Sequence, residues 1–303
     1  MPTYSTYTNA ATGTSTIGQS GSSKFYLILL LMVALGGYFV WLGLQTAKEF
    51  ATRQTRQSSS APEGTPSVIA SEYRNSVGMD FALIPSGEFA MGSNQDGMES
   101  PVHRVVITRP FYMGKYEVTQ AQWMAIMGTT IQQQRDSLNT QWPAENVGSN
   151  YPMYYVKWED AVKFVERLNN FEETDVYRLP TESEWEYACR GNVPGSDIGE
   201  MEKVAWFGEN AGERSHPVGE KEPNNFGLYD MHGNLAEWCQ DWYGKYPDGT
   251  STDPAGLSDG TVKVVRGGNW FLNREDCRSA SRMSAYPHRG NSSVGFRVVR
   301  TAP

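Results

Sequence analysis

Past Arg190 the sequence shows no helical periodicity to its end at Pro303. Gly, Asn, Pro and Asp recur every few residues, and short apolar pieces such as VKVVRGG and GFRVVR have strand composition. A segment of this kind cannot stack into regular layers. Its irregular stretches have to be tied down, by buried Trp and Arg side chains or by a bound cation.

Upstream the pattern is different. FALIPSGEFAMGS (81–93) and HRVVITRPFYMGKYEV (103–118) have strand-like composition, with Pro-Ser-Gly turn chemistry between apolar runs. TQAQWMAIMG (119–128) opens with a capping box, Thr119 to Gln122, and stops at Gly128. WEDAVKFVERLN (158–169) sets Trp158, Ala161, Val162, Val165 and Leu168 on one stripe. PTESEWEYACR (180–190) carries a second box, Thr181 to Glu184, with Trp185, Ala188 and Cys189 on its apolar face. The expected fold class is α+β with much irregular structure.

The chain has 303 residues, 39% hydrophobic and 12% aromatic, with nine Trp and sixteen Tyr. A core and an aromatic-rich binding surface are both affordable. The formal charge of −8 speaks against a nucleic-acid partner, which needs a basic face to displace counterions from phosphates. Three cysteines, Cys189, Cys239 and Cys277, leave an odd thiol and exclude a disulfide framework. The four histidines have no zinc-site spacing.

Residues 25–44, FYLILLLMVALGGYFVWLGL, are apolar and uncharged. That length matches a bilayer core, which takes about 20 helical residues. The expected organisation is a polar tail over 1–24, one transmembrane helix over 25–45, a linker over 46–75 rich in Ser, Pro and Gly, and a globular domain over 76–303. Flanking charges, Lys24 against Lys48, Arg53 and Arg56, lean toward a cytoplasmic C-terminal side.

Seven segments occur in an order that carries a family resemblance: MDFALIPSGEFAMGS, PVHRVVITRPFYMGKYEVTQAQW, YRLPTESEWEYACRG, NNFGLYDMHGNLAEWCQDWY, VVRGGNW, RSASR and VGFRVVR. In this order they resemble the motif series of the formylglycine-generating enzyme (sulfatase-modifying factor) family over roughly residues 77–300. The resemblance implies that family's C-type-lectin-like fold. The family holds copper-dependent oxidases, iron-dependent sulfoxide synthases, members without known chemistry, and relatives that display variable ligand-binding surfaces, so the fold alone does not assign an activity.

The oxidase chemistry that the resemblance implies needs two thiolates shortly after the GGS motif, because Cu(I) is soft. Here the motif is GGN, ending at Asn269. Counted forward, Leu272 and Cys277 fall on the two positions; counted back from Arg278 and Arg282, Cys277 falls on neither. The pair is absent either way, and no copper is expected. A lone reactive thiol at Cys277 is the catalytic alternative, and a Cys189–Cys277 disulfide stays open.

A calcium site in LYDMHGNLAEW is also implied by the resemblance. Its ligands would be the Asp230 and Glu237 carboxylates and the Gly233 and Leu235 carbonyls, hard oxygen donors of the kind calcium takes. The expected function is a non-catalytic, membrane-anchored accessory subunit. The lipid bilayer holds residues 25–44, and the domain docks on a membrane protein complex through Trp270, Asn273, Arg274, Arg278, Arg282, Tyr286 and Arg289. Arg278 and Arg282, with Arg297, sit in family motifs and have a competing role as partners of buried carboxylates. The family resemblance and the calcium site favour a periplasmic domain over the cytoplasmic side.

Overall fold

The computed structural model describes residues 69–192 and 200–303. The expected tail and transmembrane helix lie outside the described residues. Among those described, no helix is long and apolar enough to cross a membrane. The folded chain already includes Glu72–Arg74, a strand paired antiparallel with Asp80–Ile84. Tyr73 from this strand packs on Phe81 and Tyr112, so the last residues of the expected linker belong to the domain.

The capped helices form where their boxes place them. Helix α1 is Gln120–Met127, with the Thr119/Gln122 box at its start and left-handed Gly128 at its end. Helix α2, Ile131–Ser137, is capped the same way by Thr130 and Gln133. Helix α3, Trp158–Glu172, buries Ala161, Phe164, Val165 and Leu168. Helix α4, Glu182–Arg190, follows the Thr181/Glu184 box and ends at left-handed Gly191. It is not a surface helix: Glu182, Glu186 and Arg190 are buried along with Trp185 and Ala188. A single helical turn, α5, covers Met201–Val204.

The strands form small sheets. In a five-stranded sheet Asp80–Ile84 pairs with Phe111–Gly114, which pairs with the C-terminal strand Val299–Thr301, and that strand also pairs with Tyr177–Arg178. The end of the chain thus lies inside the sheet that its beginning forms. Pro85-Ser86 does not make a hairpin. The strand after it, Gly87–Met91, joins a different sheet with His103–Ile107. A four-stranded sheet sets Lys263–Arg266 between Arg282–Ala285 and Ala236–Trp242, with Val294–Gly295 parallel at the edge.

Two apolar clusters fill the interior. One stacks Trp123 of α1 on Phe164 of α3, with Phe296 meeting Trp123 edge-on. The other surrounds Trp185 of α4. Between them runs a set of buried ion pairs. Arg266 bonds Glu186, while its Nε lies 3.6 Å from Glu182. Arg282 donates to both Glu182 oxygens at 2.7 and 2.6 Å. Arg297 donates to both Glu237 oxygens at 2.6 Å, and Trp185 adds an indole N–H at 2.8 Å. Arg266 and Arg297 are completely buried. Other N–H groups reach backbone carbonyls: Arg297 bonds Gly114 and Tyr229, each at 3.0 Å, and Arg266 bonds Ala280 at 2.9 Å, while Arg266 Nε has no hydrogen-bond partner among the described residues.

Removing one member of such a pair strands its partner in a medium that cannot solvate it. Arg297→Met is expected to lower unfolding stability by about 3–5 kcal/mol. Adding Glu237→Gln should recover part of that loss. Urea unfolding followed by circular dichroism measures both, and a loss below about 1 kcal/mol would show that the pair behaves as a surface contact.

Candidate functional site

Strand Lys263–Arg266 ends in two left-handed glycines, Gly267 and Gly268. A methyl at Gly268 would sit 2.3 Å from Cys277 Sγ and 2.9 Å from the Asp276 carbonyl. Only glycine therefore lets the Arg274–Cys277 turn fold back onto this corner. Asn269 accepts the Phe271 N–H at 3.1 Å, and Trp270 is pinned by its own N–H to Asn234 O at 2.9 Å and by its indole to Ser292 O at 3.2 Å. Trp270 and Phe271 meet edge to face at 5.2 Å. They line a cavity of about 440 Å³ with Trp142, Tyr154, Tyr155 and Glu213. Trp142 is 75% and Phe271 52% exposed, so this cavity presents a large aromatic surface to solvent.

The seven expected contact residues do not stand together. Trp270 lines the cavity. Asn273 is exposed beside it in sequence, at the start of the turn. Arg274 is half-buried and paired with Glu202. Tyr286 and Arg289 are exposed, with the guanidinium 5.2 Å above the Tyr286 ring, on the loop after strand Arg282–Ala285. Two of the seven are corrected. Arg282 is buried against Glu182, and its Nη1 donates to the Met98 and Gly244 carbonyls. Arg278 holds the buried Glu99 carboxylate with bonds of 3.0 and 2.6 Å. Both guanidinium groups hold the fold by engaging two carboxylate oxygens each.

Cys277 is completely buried among Met201, Ala205 and Phe207. Burial pushes its thiol up to about 12, and nearby Asp276, Glu209 and Glu275 oppose ionisation further. Leu272, at the other expected donor position, offers its carbonyl to Gly208 N at 2.8 Å. Cys189 is also buried and raised to about 12. Its sulfur lies 3.4 Å from His232 Nε2, while His232 Nδ1 bonds the Cys277 carbonyl at 2.7 Å. All three cysteines are unbridged, which excludes the Cys189–Cys277 disulfide in this structure.

The turn from Asp230 to Glu237 is held by backbone conformations that few sequences tolerate: Asp230, Gly233 and Asn234 all have positive φ. A methyl at Gly233 would lie 2.0 Å from the Trp206 carbonyl. Asp230 Oδ2 accepts the Gly219 N–H at 2.7 Å, whereas buried Oδ1 has no partner among the described residues. Glu117, which lies in the motif segment ending at Trp123 but is not among the expected ligands, adds a third buried carboxylate, accepting from Leu235 N and Asn234 Nδ2, each at 3.1 Å. Glu117, Asp230 and Glu237 thus face one guanidinium, that of Arg297. Burial first, then mutual repulsion, raises Glu117 well above the carboxylate range; burial raises Asp230 to about 6. The orphaned oxygen and the excess negative charge fit a divalent cation. Glu237 is the weakest part of that fit, since Arg297 and Trp185 already engage both its oxygens. Among the described residues no three His, Cys, Asp or Glu side chains converge as a metal centre; the expected set has only two side chains and two carbonyls.

The buried thiols make a direct prediction. A small disulfide reagent such as dithiobis(nitrobenzoate) should react with none of the three cysteines of the folded chain and with all three in guanidinium. One fast-reacting thiol that disappears in Cys277→Ser would contradict the burial described above.

Comparison with known proteins agrees with the motif order. The model of the sulfatase-modifying factor enzyme 1-like domain matches residues 66–302. The chain is similar to a formylglycine-generating enzyme of Streptomyces coelicolor, 29% identical over 72% of this chain and 88% of that protein. It is also similar to the chaperone protein LppX of Paenibacillus barcinonensis, 29% identical over 78% and 94%. A serine/threonine-protein kinase, pkn1 of Chlamydia pneumoniae, is 31% identical over 73% of this chain, but the match spans only 38% of that kinase's length. Among solved structures, Treponema denticola variable protein 1 superposes with a TM-score of 0.67 at 27% identity, covering 78% of this chain and all of that one. PvdO from Pseudomonas aeruginosa gives 0.67 at 25%, with the same coverage. From Ile69 onward the described fold is the C-type-lectin-like fold of these relatives, and the chain belongs to the sulfatase-modifying factor (formylglycine-generating enzyme-like) domain family.

Proposed function

We propose that this chain is a non-catalytic, membrane-anchored accessory subunit. Residues 25–44 hold it in the bilayer, and its sulfatase-modifying-factor-like domain, on the periplasmic side, docks on a membrane protein complex. The observation that carries the reading is the fate of the GGNW corner. Its one cysteine is sealed inside an apolar cluster, while Trp270 and Phe271 beside it line an open aromatic cavity. Large rigid aromatics of this kind anchor interfaces at low entropic cost. The docking set is therefore Trp270, Phe271 and Trp142 in the cavity, with Asn273, Arg274, Tyr286 and Arg289 as polar and cationic contacts around the same C-terminal segment.

Calcium is part of the proposal as a fold staple. Asp230 and the Gly233 and Leu235 carbonyls would hold it, with Glu237 as the second carboxylate, and the ion would neutralise a turn whose buried negative charge exceeds that of Arg297. The rival reading, an oxidoreductase acting on a protein or peptide, draws on the likeness to formylglycine-generating enzymes. It lacks the two soft donors that hold Cu(I), and its only thiol at the corner is buried and raised to about 12.

Docking through the cavity makes the contact sensitive to two aromatic side chains that carry no internal ion pair. Trp270→Ala with Phe271→Ala is expected to weaken capture of the partner complex from gently solubilised membranes by about 100-fold or more, each anchor contributing roughly 2 kcal/mol. Arg289→Ala should reduce it by less. Quantitative cross-linking of the full chain in membranes reads the effect. Undiminished cross-linking of the same partner by the double variant would remove the cavity from the docking surface.

A further inference from the structure

A second cavity, of about 480 Å³, shares no lining residue with the aromatic one. Its volume is in the range of small-molecule sites, roughly 300–1,000 Å³. Trp242, Tyr246, Pro247, Pro254 and Leu257 supply apolar walls, and the start of α4 and the end of strand Ala236–Trp242 supply the polar floor.

Most polar groups of that floor are already engaged with one another. Arg282 saturates both Glu182 oxygens, and Tyr246 donates to Glu182 at 3.2 Å. His103 is bonded through Nδ1 to Pro101 O at 3.0 Å, and Ser183 donates to Pro254 O at 3.2 Å. Asp241 is the exception. It is 4% exposed, and Oδ2 accepts the Glu182 N–H at 2.9 Å. From other described residues the carboxylate accepts this one bond, the other being from its own backbone N–H, and Asp241 is part of the cavity lining. Burial, then the nearby Glu182 charge, raises its carboxyl to about 7. The Lys263 ammonium acts on this carboxylate electrostatically but donates to the Gln240 carbonyl, so a cation in the cavity would still lower the cost of holding the charge out of water.

The rings around the cavity already hold cations. Arg282 lies 4.0 Å over Tyr246 and 4.5 Å over Tyr243. The Lys263 ammonium sits between Trp158 and Trp242 at 3.9 and 3.8 Å. Of these four rings Trp242 and Tyr246 belong to the cavity lining, and their π-faces favour positive charge. Lys245, the remaining cation of the lining, is exposed.

We propose that this cavity is a second ligand site and that it takes a small organic ammonium compound. The apolar body of the ligand lies against Trp242, Tyr246 and Leu257, and its –NH₃⁺ donates to Asp241 Oδ1. The assignment is independent of the docking proposal, since it uses none of the same residues.

The test uses the purified full-length chain and three probes of similar shape, phenethylamine, 2-phenylethanol and 3-phenylpropionate. Titrations are followed by ligand-observed NMR at about pH 8, well above the ordinary carboxylate range. Phenethylamine is expected to bind saturably and at least about tenfold more tightly than the alcohol, the ratio that one hydrogen bond to a charged group supplies. 3-Phenylpropionate should bind more weakly than either. Asp241→Asn should abolish the preference for the amine and leave the weak binding of the alcohol unchanged, which also shows that the cavity is intact. The proposal is overturned if the wild-type chain binds no amine, if it binds amine and alcohol equally, or if the preference survives in Asp241→Asn. The ranking of probes on the wild-type chain decides the matter even where the variant does not fold.

Discussion

Buried guanidinium groups are the constraint on which this domain rests. Much of the C-terminal half consists of loops and short strands, and such backbone has few ladder hydrogen bonds to hold it. Arg266, Arg282 and Arg297 replace them. Each planar fork takes carboxylate oxygens on one side and backbone carbonyls on the other, so one side chain fixes two or three segments distant in sequence. Glu182 and Glu186, on a helix with almost no exposed face, receive most of them. Such pairs add little net stability compared with apolar packing, but they are strongly directional. Here they specify which loop lies where, and the two apolar clusters supply the driving force.

The same frame serves two ends. It holds the GGNW corner, and it holds the Asp230–Glu237 turn through Arg297. The two are also joined directly, since the Gly233 N–H donates to Gly267 O at 2.7 Å and the Trp270 N–H to Asn234 O at 2.9 Å. The proposed loss of redox chemistry at the corner leaves this scaffold in place. What remains at that corner is shape: two aromatic side chains pinned by backbone bonds beside a cavity, and a cysteine turned inward.

Part of this was legible in the residues alone. Capping boxes at Thr119 and Thr181 and the glycines after them placed α1 and α4, because cap chemistry is local. The third box, Thr130/Gln133, heads α2 and was missed, since Ile131 is the only apolar residue of that helix and leaves no stripe to follow. Motif order gave the family and hence the fold. For Arg278 and Arg282 the sequence offers both a surface contact and a buried pair with a carboxylate, because it gives the type of a side chain and not its direction. Their partners, Glu99 and Glu182, lie 179 and 100 residues away in the chain. Glu117 and Asp241 lie within two of the motif segments, but nothing in those segments marks either as a site residue. Their importance comes from burial beside other charges, which only the folded arrangement creates. The expected membrane helix over 25–45 lies outside the described residues, so anchoring remains a proposal from sequence.

The central claim is that this member of the family keeps the scaffold without its copper chemistry. Elemental analysis of the purified full-length chain after incubation with Cu(I), together with an assay on a cysteine-bearing sulfatase peptide, tests it most directly. The account predicts no retained copper or iron, no conversion of the peptide, and about one calcium per chain that Asp230→Ala removes. Stoichiometric copper lost in Cys277→Ser, with turnover of the peptide, would contradict it.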